Sequence, residues 1–278
     1  MAQSNHPDGL IRMIRVALIT ILMATLAFPI PGEARTSLDV TRFGQIGSTG
    51  LVVDTAGFQA LALDLAQVLG SHSAGSSVST GAMGLDLELD FAFSPLAEST
   101  SHWETVGNPR LSSLETLHLS ARKGLPYGFQ LGVHAGHLID SRVWSVGGHL
   151  KYSILEGLNW FPDVAIRAGS TAILGVRALD CFTVESDVMV SKAFGVFGVM
   201  AMTTYGGYSL QYVEASTHVI GAFDANQELV KFVIPQQREL QHRGIIGLQF
   251  WVTHVTLGIE AILAPNTQTY AFKLGANL

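Results

Sequence analysis

Residues 85–94, Leu-Asp-Leu-Glu-Leu-Asp-Phe-Ala-Phe-Ser, constrain the fold of this chain more than any other stretch. Every odd position from Leu85 to Phe93 is a large apolar residue, and every even one is acidic or small. Successive side chains of a β-strand point to opposite faces, so this strand has one greasy face and one bearing Asp86, Glu88 and Asp90. A soluble sheet turns the apolar face into a core. A membrane barrel turns it to lipid and encloses the charges. One strand alone fits both.

The alternation recurs along the chain. Leu117, Leu119 and Ala121 alternate with Thr116, His118, Ser120 and Arg122, and Phe129 to Ala135 alternate with Gln130, Gly132, His134 and Gly136. Similar runs span Trp144–Ile154, Val164–Leu174 and Phe182–Val190, and a strand-like stretch covers Phe194–Val213. A polar segment of about Glu214–Gln241 precedes three cleaner runs, Ile246–Val252, Val255–Ala261 and Tyr270–Leu278. Short connections pair neighbours antiparallel. The pattern therefore predicts an all-β, up-and-down barrel of about ten strands, within a range of eight to twelve. One end carries the turns 123–127, 155–163, 192–194 and 253–254. The other carries the long connections 95–113 and 214–241, together with the short turn Asp140–Arg142.

Composition chooses between lipid and core. The chain is 48% hydrophobic and 14% charged, where globular chains average roughly 25% charged, and its mean hydropathy is +0.34. No apolar run after residue 40 approaches the ~20 residues of a spanning helix. A soluble barrel with the apolar faces inside leaves too little charge outside for solubility. Aromatics fall at strand ends: Phe129, Tyr152, Phe194 and Phe250 near the turns, and Phe91, Phe93, Trp144, Phe182 and Tyr270 near the long connections. Two such girdles mark a lipid-facing surface. The opposite face carries the acids Asp86, Glu88, Asp90, Glu185, Asp187 and Glu260 and the bases Arg122, Lys151, Arg167, Arg243 and Lys273. Near balance suits an enclosed, ion-paired lumen, because unpaired buried charge is costly. A net charge of −6 without a basic cluster argues against nucleic acid. The single cysteine, Cys181, excludes an intramolecular disulfide.

The N-terminus has the pattern of a secretory signal peptide, residues 1–34. Arg12 and Arg15 precede the apolar stretch Val16–Phe28, and Gly32-Glu-Ala34 offers small residues for cleavage. Residues 35–77 form an N-terminal segment. Within it Asp54 is a helix N-cap, and Phe58, Leu61, Leu65, Val68 and Leu69 share one face of a helix over 54–70. Gly70 and the Ser/Gly-rich run Ser71–Ser79 end it. This helix either packs on the barrel or plugs it. The barrel is expected over residues 78–278.

The helix, the turn Ala121-Arg-Lys-Gly-Leu-Pro-Tyr-Gly128 and the last strand Tyr270–Leu278 resemble small, porin-like, uncharacterised outer-membrane β-barrel proteins of Gram-negative bacteria. The resemblance covers roughly Asp54 to the C-terminus and implies export to the periplasm and insertion into outer-membrane lipids by the barrel-assembly machinery. Such proteins usually end in an aromatic residue, and Leu278 departs from that while keeping the alternation.

Two functions from different classes fit. The first is a narrow or gated channel for small solutes, lined by the inward charges. The second is a closed structural or surface-binding barrel that meets a partner through 95–113 and 214–241. An enzyme is not expected. His102, His137 and His218, with Glu98, Asp140 and Asp224, are the residues available for loop catalysis of the omptin type, and their spacing identifies no nucleophile and base. His118, His134 and His149 can share the lumen as hydrogen-bonding groups. No cofactor or metal is implied.

Overall fold

In the computed structural model the alternating segments pair edge to edge until the sheet closes on itself. It describes residues 38–278, apart from 48–49, 73–74, 97–100, 109–110, 159, 197–199 and 224–228. The leader over 1–34 lies outside the described residues, as do Glu98 and Asp224.

A 3₁₀ turn over Val40–Phe43 leads into two short paired strands, β1 (Gly44–Gly47) and β2 (Gly50–Val53), followed by helix α1 (Thr55–Leu69). The barrel begins with β3 (Leu85–Pro95). A short helix, α2 (Ser101–Thr105), precedes β4 (Ser113–Gly124). Next come β5 (Phe129–Leu138), β6 (Trp144–Leu155), β7 (Asp163–Leu174), β8 (Leu179–Val196) and β9 (Met200–Thr217). A hairpin of β10 (Ile220–Phe223) and β11 (Leu229–Phe232) separates β9 from β12 (Gln237–Val252). Strands β13 (Val255–Leu263) and β14 (Gln268–Asn277) complete a closed ten-stranded antiparallel barrel in the order β12-β13-β14-β3-β4-β5-β6-β7-β8-β9.

Closure falls on the strand whose alternation is strongest. Strand β14 pairs with β3, setting Tyr270 opposite Phe93 and Lys273 opposite Asp90. Leu85 and Leu278 exchange backbone hydrogen bonds of 3.0 and 2.8 Å at the seam. A closed sheet has no edge strand, although Gln237–Arg243 of β12 run past the end of β13.

Two boundaries differ from the sequence reading. The turn expected at 192–194 lies further on, because β8 continues through Phe194, which pairs with Met202, to Val196. Lys192 instead anchors the neighbouring turn, donating to the carbonyls of Leu158 and Phe161 at 2.8 and 2.7 Å. The polar segment 214–241 is mostly strand: β9 and β12 stay paired up to Ala215 and Gln237, and β10–β11 fold between them. Polar cross-strand contacts suit this extension, with Arg238 3.3 Å from Glu214.

Glycines sit beside bulky inward rings. His118 pairs with Gly136, His134 with Gly147, His149 with Gly132, and Tyr205 with Gly247. A Cβ on Gly132 falls 2.3 Å from the His149 ring, and one on Gly247 falls 2.2 Å from Tyr205. Each ring lies flat across the hydrogen of a glycine, which lets large side chains share a narrow interior. Gly247→Val is expected to destabilise the barrel by about 1–3 kcal/mol, read as a lower temperature for the heat-modifiable shift in gel mobility. Gly195→Ala, at a site where a Cβ meets nothing within 4 Å, is expected to leave that temperature unchanged.

Candidate functional site: the filled lumen

Strand alternation sends one side chain in two into the barrel, and the inward set divides by height. Near the end that carries the long connections, the wall side chains are apolar: Leu114, Leu138, Ile173, Cys181, Val213 and Ala215 are all buried. They close around α1, whose Phe58, Leu61, Leu65, Val68 and Leu69 are buried in the same cluster, with Trp103, Val106, Ile220 and Phe232 from the connections above. The heptad-like face anticipated Phe58, Leu61, Leu65, Val68 and Leu69. It did not anticipate Ala62, Leu63 and Ala66, which are buried too because the barrel surrounds the helix's second half. Helix α1 is therefore inside the barrel.

Below the helix the wall is charged. Asp86, Glu88, Asp90, Arg122, Lys151, Arg167, Glu185, Asp187, Arg243, Glu260 and Lys273 are all 5% exposed or less. All but Asp90 and Lys151 fall into two ion-paired groups. In one, the Arg122 guanidinium lies 2.5 Å from both Asp86 and Glu88, and Lys273 lies 3.6 Å from Glu88 and 3.0 Å from Glu260. In the other, Arg167 meets Asp187 at 2.5 Å and Glu185 at 3.7 Å, and Arg243 meets Glu185 at 2.8 Å. Register explains both: Asp86 is opposite Arg122 on β4, and Arg167 is opposite Asp187 on β8. Charge-assisted bonds in such an interior are short and strong, and each partner left alone is costly.

The chain between α1 and β3 runs through this charged zone. Gln211 donates to the Ala66 carbonyl at 3.1 Å, and His118 Nε2 lies 3.2 Å from that of Val68. Lys273 donates to the His72 carbonyl. Lys151 Nζ donates to the carbonyls of Ser76 and Val78 at 2.8 and 3.0 Å, and Ser153 Oγ to that of Ser77 at 2.7 Å. The Ser77 amide donates to Ser191 Oγ at 3.0 Å, and Arg167 reaches Ser71 Oγ at 3.0 Å. The run then leaves among the short turns, where Ser79 donates its amide to Glu156 and Gly84 meets Gly124.

Above, a buried carboxylate joins three pieces of chain. Asp64 on α1 accepts from His102 Nε2 at 2.8 Å, from Trp103 Nε1 at 2.9 Å and from the Thr267 hydroxyl. A cavity of about 510 Å³ opens beside it, lined by Asp54, Asp64, Ser101, His102, Asn266 and Thr267 among others. A smaller one of about 230 Å³ lies at the opposite end between the threaded segment and Asp86, Arg122, Lys151 and Trp251. The two share no lining residue.

The three loop histidines hold separate partners. His102 is taken by Asp64, His137 bonds the Val143 carbonyl at 3.1 Å and stacks on Trp144, and His218 lies 3.2 Å from Asp180 at the exposed surface. Asp140 is a turn residue with φ 57°. In the lumen His134 stacks on His149, and His118 lies against His72 at 4.2 Å between ring centroids. Among the described residues no three His, Cys, Asp or Glu side chains converge as metal ligands.

The outward face is apolar. Phe91, Phe93, Phe129, Trp144, Tyr152, Phe182, Phe194 and Tyr270 are exposed, and Phe250 is half-buried. Phe129 and Tyr152 pair across β5 and β6 with ring centroids 4.7 Å apart, and Phe93 faces Tyr270 across the seam. What the sequence reading missed is Asp64, Trp103 and the carbonyl-binding role of Lys151 and Lys273. The only sign of Asp64 was a lone acid within an apolar helix.

No family profile and no curated protein matches this chain. Solved structures similar to it are barrels of the small bacterial kind. The translocator domain of the autotransporter NalP from Neisseria meningitidis has a TM-score of 0.40 at 6% identity, covering 81% of this chain and 99% of that one. KdgM porin in complex with disordered oligogalacturonate has a TM-score of 0.33 at 8% identity, covering 69% and 98%. Ail, the attachment invasion locus protein of Yersinia pestis, has 0.28 at 9% identity, covering 70% and 99%.

Arg243→Met strands Glu185 beside a single remaining arginine and is expected to cost about 3–5 kcal/mol. Arg42→Met removes an exposed pair with Asp39 and is expected to change stability by at most about 1 kcal/mol. The heat-modifiable transition of the two variants checks the contrast.

Proposed function

We propose that the protein is an outer-membrane barrel whose lumen is closed by its own N-terminal segment, and that it acts through the surface its loop end presents. It spans the membrane with its apolar outer face in lipid, enters it through the barrel-assembly machinery after export, and carries no catalytic role. The observation that carries this reading is the pinned segment. Between the two end cavities α1 sits among apolar walls above, and below it carbonyls are held on lysine and serine and the Ser71 hydroxyl on Arg167. The exposed apolar and aromatic wall supports the membrane setting, because a water-facing barrel has no use for it.

The working surface is the assembly at the loop end. It combines the 3₁₀ turn, β1–β2, α2 and β10–β11 at the top of α1, with Asp64 tying α2 to α1. A surface partner binds there, on the connections 96–112 and 218–236.

A second reading is a channel for small solutes that opens when α1 withdraws, and the charge of the lower lumen favours it: Asp86, Arg122 and Lys151 already face a cavity at the turn end. Conductance separates the two. In planar bilayers the full-length protein is expected to show no discrete openings, and Asp64→Ala, which frees α1 from His102, Trp103 and Thr267, is expected to stay silent as well. Steady openings of the intact chain would sink the closed-barrel reading. Openings that appear with Asp64→Ala alone select the gated channel.

A further inference from the structure

The chain enters the barrel at one end and leaves it at the other. Met83 and Gly84 lie among the short turns, where β3 begins, and the run of described residues from Thr80 back to Gly75, then His72 and Ser71, climbs the lumen to α1. Beyond the helix, residues 38–47 and 50–53 are folded among the long connections. Asp39 donates its amide to the Val106 carbonyl, the Phe232 ring lies over Gly44, and Val40 and Phe43 are buried with Ile220 and Ile234.

The contacts along this path have an unusual chemistry. The wall reaches the carbonyls of Ala66, Val68, His72, Ser76, Ser77 and Val78, which every residue type possesses. Side-chain contacts are fewer, chiefly Ser71 with Arg167, Gln67 with Ile262 and Thr80 with Gln130. Lysine and serine donors spaced along a lumen, bonding successive carbonyls, are what a wall needs to hold an extended polypeptide whatever its sequence.

We propose that the barrel is a conduit for its own N-terminal segment: it passes residues 38–53 from the turn side of the membrane to the loop side and holds the crossing chain by its backbone. The inference rests on the outer-membrane reading above, with the short turns in the periplasm. The segment is then displayed on the cell surface, although it precedes a strand that starts at the periplasmic end.

Single cysteines test it in intact cells with a membrane-impermeant maleimide. The wild-type chain, whose Cys181 is buried, is the blank. Gln45→Cys, exposed on β1, is expected to label in intact cells, and Met83→Cys, exposed at the turn end, is expected to label only after the outer membrane is permeabilised. Equal labelling of both, or Gln45→Cys labelling only after permeabilisation, overturns the conduit while recovery from the outer-membrane fraction leaves the membrane reading standing. Recovery from the soluble periplasm overturns both. Ser76→Ala and Val78→Ala keep their carbonyls, so each combined with Gln45→Cys is expected to label at least 80% as strongly as Gln45→Cys alone (roughly, for a wall that bonds main chain). A loss of tenfold or more in either overturns recognition through the backbone.

Discussion

A charge removed from water must meet another charge, and that requirement governs this barrel. Desolvating one ion costs several kcal/mol even after relaxation, so an enclosed arginine or aspartate is tolerable only where its partner is fixed. Register fixes it here. Asp86 stands opposite Arg122 and Arg167 opposite Asp187, and Lys273 reaches Glu260 on the neighbouring strand. Slipping any one of these pairings by a residue turns every side chain of that strand to the other face. The charges would then turn to the outer face and Phe91 or Ile166 would enter the lumen. Ion pairing, register and closure are consequently one constraint.

The same reasoning explains why the plug changes conformation halfway down. A helix satisfies most of its own backbone groups, so α1 can sit among Leu114, Ile173 and Val213 without polar help. Its last carbonyls have no partner within the helix, and Gln211 and His118 meet those of Ala66 and Val68. Gly70 is extended and ends the helix, and a Cβ there would fall 2.5 Å from the Ala66 carbonyl oxygen. A segment without helical bonds leaves its carbonyls bare, so it belongs where donors are plentiful. Lys151, Ser153 and Lys273 are in that lower half. The division of the lumen into an apolar and a charged zone thus matches the division of the plug into helix and irregular run.

Period-2 alternation is local, and what depends on it was legible in the sequence. The ten strands, the antiparallel order and the facing of Glu88 or Phe93 follow from counting along each segment. Helix α1 was legible as well, from Asp54 and the spacing of Phe58, Leu61 and Leu65. Its location was not, because an amphipathic face names no partner. The loop-end core was hidden for a related reason. Ile173 and Val213 break the apolar–polar rhythm by being apolar on the inward face, which reads as blurred phase until a helix is known to fill the space. The extent of β9 and β12 was obscured by Glu214 and Arg238, polar residues that mark a loop when read singly and a ladder when read as a pair.

Packing also ties the loop-end pieces to the wall. Hairpin β1–β2 rests on β10–β11, whose place depends on β9 and β12 being paired, and Gly44 accommodates the Phe232 ring of that hairpin. Strand β3 is continuous with the threaded segment and also half of the closing seam with β14. Lys273 ties the two together, bonding Glu260 in the wall and the His72 carbonyl in the thread from the last strand made. Burying Phe58, Leu61, Leu65 and Leu69, at about 1.5–3 kcal/mol each, holds the helix in the apolar zone and with it the loop-end pieces packed on its top.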